Sequence, residues 1–173
     1  TFASFPVSAP VNSVVSGTVN FVNVSPNVGV NPTFSLQLAP GLTGVTINSA
    51  VLGAGTYNPA TGTVSFANPA PATLAAAGTV SASISFTQSS TAVTGTGTTG
   101  ALNDTNTTNN TATVSVAGLA ADMQAGFTGF PANAPVGSTV NGTVNFVNIG
   151  ANTASTPTFS LQLAPGLTGV TIN

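Results

Sequence analysis

The chain has 173 residues and contains no lysine, arginine, histidine, cysteine or tryptophan. Each absence closes off a chemistry. Without Lys or Arg nothing neutralises phosphate, which excludes nucleic-acid binding and attraction to an anionic membrane surface. Without His or Cys the usual zinc and copper sites cannot be built, nor can a Ser–His–Asp or Cys–His catalytic arrangement. No disulfide can form, so cysteine pairing says nothing about compartment. Isopeptide cross-links between Lys and Asn are ruled out as well. The only charged side chains are Asp104 and Asp122, 1% of the residues, where an ordinary soluble domain carries about 25%. No apolar run approaches the roughly 18–20 residues that span a bilayer; residues 72–80 come nearest. The chain opens at Thr1 with neither Met nor a signal-peptide pattern, as a processed or excerpted segment would.

What is present is apolar and small. Hydrophobic residues make up 42% of the chain and the mean hydropathy is +0.42, the reverse of a disordered composition. An internal repeat dominates. Residues 1–48 align without a gap on residues 126–173, an offset of 125, with 33 of the 48 positions identical. Pro32 to Asn48 recurs unchanged as Pro157 to Asn173, and Gly17 to Asn23 recurs as Gly142 to Asn148. Residues 24–31 diverge from 149–156, which marks a surface loop. A period of 125 is too long for a solenoid, whose units run about 20–50 residues, and fits whole domains in tandem. The division expected is a nearly complete first repeat over 1–118 and the N-terminal part of a second over 119–173. Half a unit alone exposes its core and its strand edges.

Apolar and polar residues alternate with the period of a strand. Val15, Val19 and Phe21 share one face of 13–24. Phe34, Leu36 and Leu38 alternate with Ser35 and Gln37, and Val45 and Ile47 flank Thr46. Val80, Ala82, Ile84 and Phe86 alternate with serines, as Ala112, Val114 and Val116 do with Thr113 and Ser115. Residues 57–64 read as a hairpin in which Asn58-Pro59 starts the turn and Gly62 closes it. Residues 72–77 have a helix-like composition but lie between Pro71 and Gly78, and are expected to form one turn at most. The fold class predicted is all-β: antiparallel immunoglobulin-like β-sandwich repeats in tandem, about seven strands per unit.

Several strings carry a resemblance. They are Ala121-Asp122-Met123, Gly137-Ser138-Thr139-Val140, Leu38-Ala39-Pro40-Gly41-Leu42, the stretch from Gly55 to Thr63, and Asp104 followed by Asn109-Asn110-Thr111-Ala112-Thr113-Val114. Together they span nearly the whole unit, which resembles the bacterial "domain of unknown function 11", or conserved repeat domain, of surface proteins. The resemblance implies immunoglobulin-like repeats in large secreted or surface-attached bacterial proteins. The near absence of charge departs from that family's usual pattern.

Candidate sites are few. Asp104 lies in a loop rich in Asn and Thr whose oxygens suit calcium, but that ion normally takes several carboxylates and the loop has one. An Asx-turn network ahead of the last strand is the favoured reading. Casting Asp104 and Asp122 as the acid and base of a glycosidase leaves them with no neighbour to tune them. Glycosylation sequons occur at Asn103, Asn106 and Asn109, and also at Asn23 and Asn141 in or beside predicted strands. The Thr-rich stretch 87–111 is a candidate for O-linked sugar, with an unmodified polar loop favoured. Thr94-Gly95-Thr96-Gly97-Thr98 has the Thr-x-Thr spacing of ice-binding surfaces, and is read here as a flexible linker loop. No catalytic residue, metal site or cofactor site is assigned.

Missing charge bears on association. Soluble monomers stay apart through net charge and guard their sheet edges with Lys; this chain has neither device. Outward faces of Ser, Thr, Asn, Gln and Ala can pack without the several kcal/mol per ion that burying charge costs. The expectation is a structural, non-enzymatic protein at the bacterial cell surface or outside the cell, whose partners are copies of itself in a homopolymer. The filament, sheath or surface layer so formed would be built from tandem immunoglobulin-like repeats, with no nucleic acid and no membrane insertion in this segment. The alternative is a spacer in the stalk of a giant bacterial adhesin.

Overall fold

A computed structural model describes residues 1–173. The chain divides into two compact units, residues 1–119 and 120–173.

The first unit is β-structure with one short 3-10 turn at Thr107–Asn109. Its strands are β1 (Phe2–Ala3), β2 (Ser8–Pro10), β3 (Val14–Val22), β4 (Gly29–Val30), β5 (Thr33–Leu38), β6 (Thr43–Ser49), β7 (Gly53–Tyr57), β8 (Thr63–Phe66), β9 (Thr73–Leu74), β10 (Thr79–Thr87), β11 (Val93–Gly100) and β12 (Thr111–Leu119). Eight of these have four residues or more, close to the seven expected. Ten join one sheet in the order β1-β3-β10-β6-β7-β8-β5-β11-β12-β2, and β4 pairs with β9 apart from it.

The alternation seen in the sequence is the reason these strands form. In β10, Val80, Ala82, Ile84 and Phe86 are buried while Ser81 and Ser83 are exposed. In β3, Val15, Val19 and Phe21 are buried, and they lie opposite Phe86, Ala82 and Val80. Across the core, β11 lies against β3. A side chain on Gly97 would meet Val19 and Phe21, and one on Gly95 would meet Leu38 and Val114. The sheet therefore curls until its two flanks, β3-β10-β6 and β5-β11-β12, enclose one apolar core.

Two expectations need correction. Residues 94–98 are not a linker: β11 runs through them, paired with β12 on one side and β5 on the other. Its glycines face inward where neighbours leave no room for a side chain: Val19 and Phe21 of the opposite flank crowd Gly97, and the paired Val114 and Leu38 crowd Gly95. Residues 72–77 hold the short β9 and a turn, within the single turn at most that was expected there. One pair of the sheet, β2 with β12, is parallel, so the sheet is mixed and not wholly antiparallel. Strands more than a hundred residues apart in the chain need no hairpin, and either direction is open to them.

Two devices fix the β7–β8 end. Gly62 has φ +78°, and any side chain there would strike the Leu38 carbonyl, whose neighbouring N–H donates to Gly62 O at 2.9 Å. The Tyr57 hydroxyl donates to Ala39 O at 2.6 Å and accepts from Leu42 N at 3.0 Å, which pins the Pro40–Gly41 turn. Tyr57 is thus a packing residue.

The second unit keeps two strands, β13 (Met123–Thr128) and β14 (Thr143–Asn148). They pair in the register of β1 on β3: Phe127 lies opposite Val144 as Phe2 lies opposite Val19. The Phe146–Phe159 rings, 5.0 Å apart, repeat Phe21–Phe34 at 5.2 Å. Ser138 Oγ donates to Pro135 O as Ser13 Oγ does to Pro10 O. Residues 157–173 form no strand although they are identical to 32–48.

Candidate functional site

The loop after β11 is organised by its own side chains. Asp104 Oδ1 accepts from Asn106 N at 3.0 Å, and Asn106 Oδ1 accepts from Thr108 N at 3.3 Å. These are Asx-turn bonds that start the 3-10 turn. No group of three or more acidic, His or Cys side chains converges in the chain. One carboxylate already engaged in a turn is a poor donor set for calcium. Asp122 belongs to the other unit, where its N–H donates to Asn148 Oδ1 at 3.0 Å.

The sequon asparagines differ in what they do. Asn103 is a strut: its Nδ2 donates to Val28 O at 2.8 Å and its Oδ1 accepts from Val30 N at 2.9 Å, which ties the loop to β4. A glycan on that nitrogen would weaken this tie. Asn106 caps the 3-10 turn with its oxygen, leaving its nitrogen free, and Asn109 is exposed. Asn23 is the most committed, donating to Asn27 O, Leu74 O and Ala75 O.

A cavity of about 440 Å³ lies in the first unit beside the end of β3. Thr1, Phe21, Val22 and Asn23 line one side, Gly97 and Leu74 another, and the 101–110 loop closes the far wall. It lies where the β1–β3 ladder runs out. Thr1 and Asn20 exchange both backbone bonds at 2.7 Å. The alternation of an antiparallel ladder then points the Val22 N–H and C=O to the same free edge. Val24 N–H, next along that edge, has no acceptor. In the second unit the equivalent Ile149 N–H donates to Asp122 O at 2.7 Å, because β13 extends to Met123 and covers the edge. The sequence carried this signal only through the 125-residue offset, which sets Met123-Gln124-Ala125 ahead of the counterpart of Thr1.

Both outward faces of the first unit's sheet are neutral and polar. On one, Ser81 lies opposite Asn20 and Ser83 opposite Thr18, while Ser85 lies between Ser16 and Thr46. Their hydroxyls and amides bond to each other across the strands, as in Ser81 to Asn20 at 2.7 Å and Thr46 to Ser85 at 2.6 Å. On the other, Thr94, Thr96 and Thr98 lie opposite Ser115, Thr113 and Thr111, with Gln37 and Ser35 beyond. The second unit buries no hydrophobic residue, and Phe127, Phe159 and Ile172 are exposed.

Comparison of the chain with family models, with curated proteins and with solved structures found no match.

Proposed function

We propose that this chain is a structural subunit of an extracellular, self-assembling filament, sheath or surface layer at the bacterial surface, and that its units are immunoglobulin-like sandwiches in tandem. The observation that carries this reading is the pair of outward sheet faces built mainly from Ser, Thr, Asn and Gln, with Val14 and Val22 at the ends of the β3 face, in a chain without a single cationic side chain. Such faces meet copies of themselves with hydroxyl and amide bonds and no desolvated ion. The sandwich reading is supported by two facing flanks around one core, with the first strand shared between them: β1 pairs on the β3 flank and β2 on the β12 flank. The family resemblance noted above points the same way. The chain has no helix long and apolar enough to cross a membrane, and nothing in its side chains supports catalysis.

Electron microscopy of the purified chain and of the native material tests this. Ordered filaments or sheets are expected, and dispersed single molecules at all concentrations would refute it. One observation favours a second reading, the stalk of an adhesin. Every buried hydrophobic residue lies within residues 1–119, so the first unit is self-sufficient, as a bead on a string must be. Flexible, unassociated chains in the images would select that reading.

A further inference from the structure

We infer that the edge of β12 over residues 111–115 is a strand-pairing site, and that its occupant is the same edge of a second copy of the chain, the two running antiparallel about a twofold axis at Thr113. The inference rests on the self-assembly reading above and gives it one contact.

The fold itself leaves this edge bare. β12 pairs with β11 over residues 111–116, but with β2 only over residues 117–119. Ala117 N–H donates to Val7 O. By the alternation of a strand, the N–H and C=O of Ser115, Thr113 and Thr111 point to that same side, and no backbone group meets them there. The cause lies at residues 4–6. β1 runs on the β3 flank, Ser4 with φ +63° turns the chain off it, and β2 starts only after Pro6, which has no N–H to give. The repeat shows that residues ahead of β1 keep to the β3 flank too: Asp122 O accepts from Ile149 N–H alongside β14, the counterpart of β3. Nothing on either side of the crossing reaches residues 111–115.

Three features select the occupant. The first is charge. The edge has no Lys, no Pro and no shift of register against β11, the devices that keep strand edges apart. A charged segment would find no cation in this chain and no carboxylate on the strand, whereas a second β12 brings no charge to desolvate. The second is the hydroxyls. On the β3 flank facing hydroxyls and amides bond to each other, as Thr46 does with Ser85. Those of Thr111, Thr113 and Ser115 stand on exposed residues and bond to nothing in the chain. With the axis at Thr113, that residue meets its twin and Thr111 meets Ser115, so each hydroxyl faces a hydroxyl. The same three residues exchange about six backbone bonds, two at each pair. The third is size. Ala112 and Val114 point inward and are half-buried, and in this register Ala112 of one copy lies opposite Val114 of the other, small against large. The sheet then runs from β5-β11-β12 of one copy into β12-β11-β5 of the next. One patch serves both copies, so the contact closes on a pair, and the outward faces supply the further contact that a filament needs.

The test uses the full chain, followed by sedimentation velocity and by amide hydrogen exchange. As concentration rises, dimers are expected, with exchange at Thr111, Thr113 and Ser115 slowed about tenfold or more. Thr113→Lys and Thr113→Glu each set like charges on the axis, and each is expected to weaken pairing at least about tenfold at low salt. Mixing the two variants is expected to restore it, because Lys then meets Glu. Thr113→Pro removes only the outward N–H and is expected to abolish pairing, while urea unfolding read by Tyr57 fluorescence verifies that each variant is folded. No concentration-dependent protection at the three amides overturns the site. Protection without rescue on mixing overturns the twofold register, and with it β12 as the occupant. Protection that survives Thr113→Pro overturns pairing through the backbone. Filaments that form without protection overturn the edge contact and leave the material role standing. Pairs that never grow into filaments keep the edge contact and remove the filament.

Discussion

Identical segments in different surroundings allow a matched perturbation. Ile47 and Ile172 occupy the same place in the repeated string Gly-Val-Thr-Ile-Asn, yet Ile47 is 3% exposed and Ile172 is 73% exposed. Replacing Ile47 by Ala removes three buried carbons, about 2.4 kcal/mol at ~0.8 kcal/mol for each. The cavity left behind adds to this in proportion to how little the surroundings relax. Here they relax little. Ile47 lies opposite Ile84 on one side and Gly55 on the other, so one neighbour is a stiff β-branched side chain and the other has none to move in. A loss of about 3–4 kcal/mol is expected, or a melting temperature roughly 10–15 °C lower for a unit of this size. Ile172→Ala should change stability by less than about 0.5 kcal/mol. Urea unfolding followed by far-ultraviolet circular dichroism measures both. The fluorescence of Tyr57, the one tyrosine in a chain without Trp, reports the first unit alone. Comparable losses at the two positions would refute the argument that surroundings, and not local sequence, set the core.

Tyr57→Phe removes the clamp on the Pro40–Gly41 turn and strands Leu42 N–H, and should cost about 1–3 kcal/mol by the same unfolding measurement. Gly62→Ala meets both a positive φ and the Leu38 carbonyl, so a loss of at least about 2 kcal/mol is expected; a neutral result would mean the hairpin can be rebuilt. Limited digestion with a protease of broad specificity should cut first within 120–173 and leave a fragment near residues 1–119, identified by mass spectrometry, because only the first unit has a buried core. Trypsin should leave the chain whole, since it has no Lys or Arg. Thermal stability should shift little between low and about 0.5 M sodium chloride, because the chain contains no side-chain ion pair to screen.

The strands that alternate cleanly, β3, β5, β6, β10 and β12, were legible because burying one face leaves a period of two in the letters. β11 was not. After Val93 its inward positions are Gly95 and Gly97, and a core position filled by another strand's side chain leaves no hydrophobic letter of its own. The parallel β2–β12 pair was hidden too, since it joins residues more than a hundred apart with only three register partners. Residues 157–173 mark the sharper limit. Their twins form β5 and β6 only because β8 and β11 hold one and β7 and β10 the other. Those four partners have no counterpart in residues 120–173. At the candidate sites, the Asx turn at Asp104 was readable from local spacing. The bare edge at Val22 and Val24 is made of backbone, which has no letter, and only the repeat exposes it.

The parallel pairing of β2 with β12 governs how the first unit would bear a load. Val11 N–H donates to Leu119 O and Ala117 N–H to Val7 O, each at 3.0 Å, between the second and last strands of the same core. The two strands run in the same direction, so force entering ahead of β2 and leaving after β12 pulls them past one another along their length. The bonds between them are then strained together, in shear, and none can open before its neighbours. An antiparallel pair pulled from one end would unzip a bond at a time. A unit of this kind is expected to resist stretching with few hydrogen bonds and no covalent cross-link, its breaking force set at the Ser8–Pro10 pairing and not at the large β3–β10 ladder.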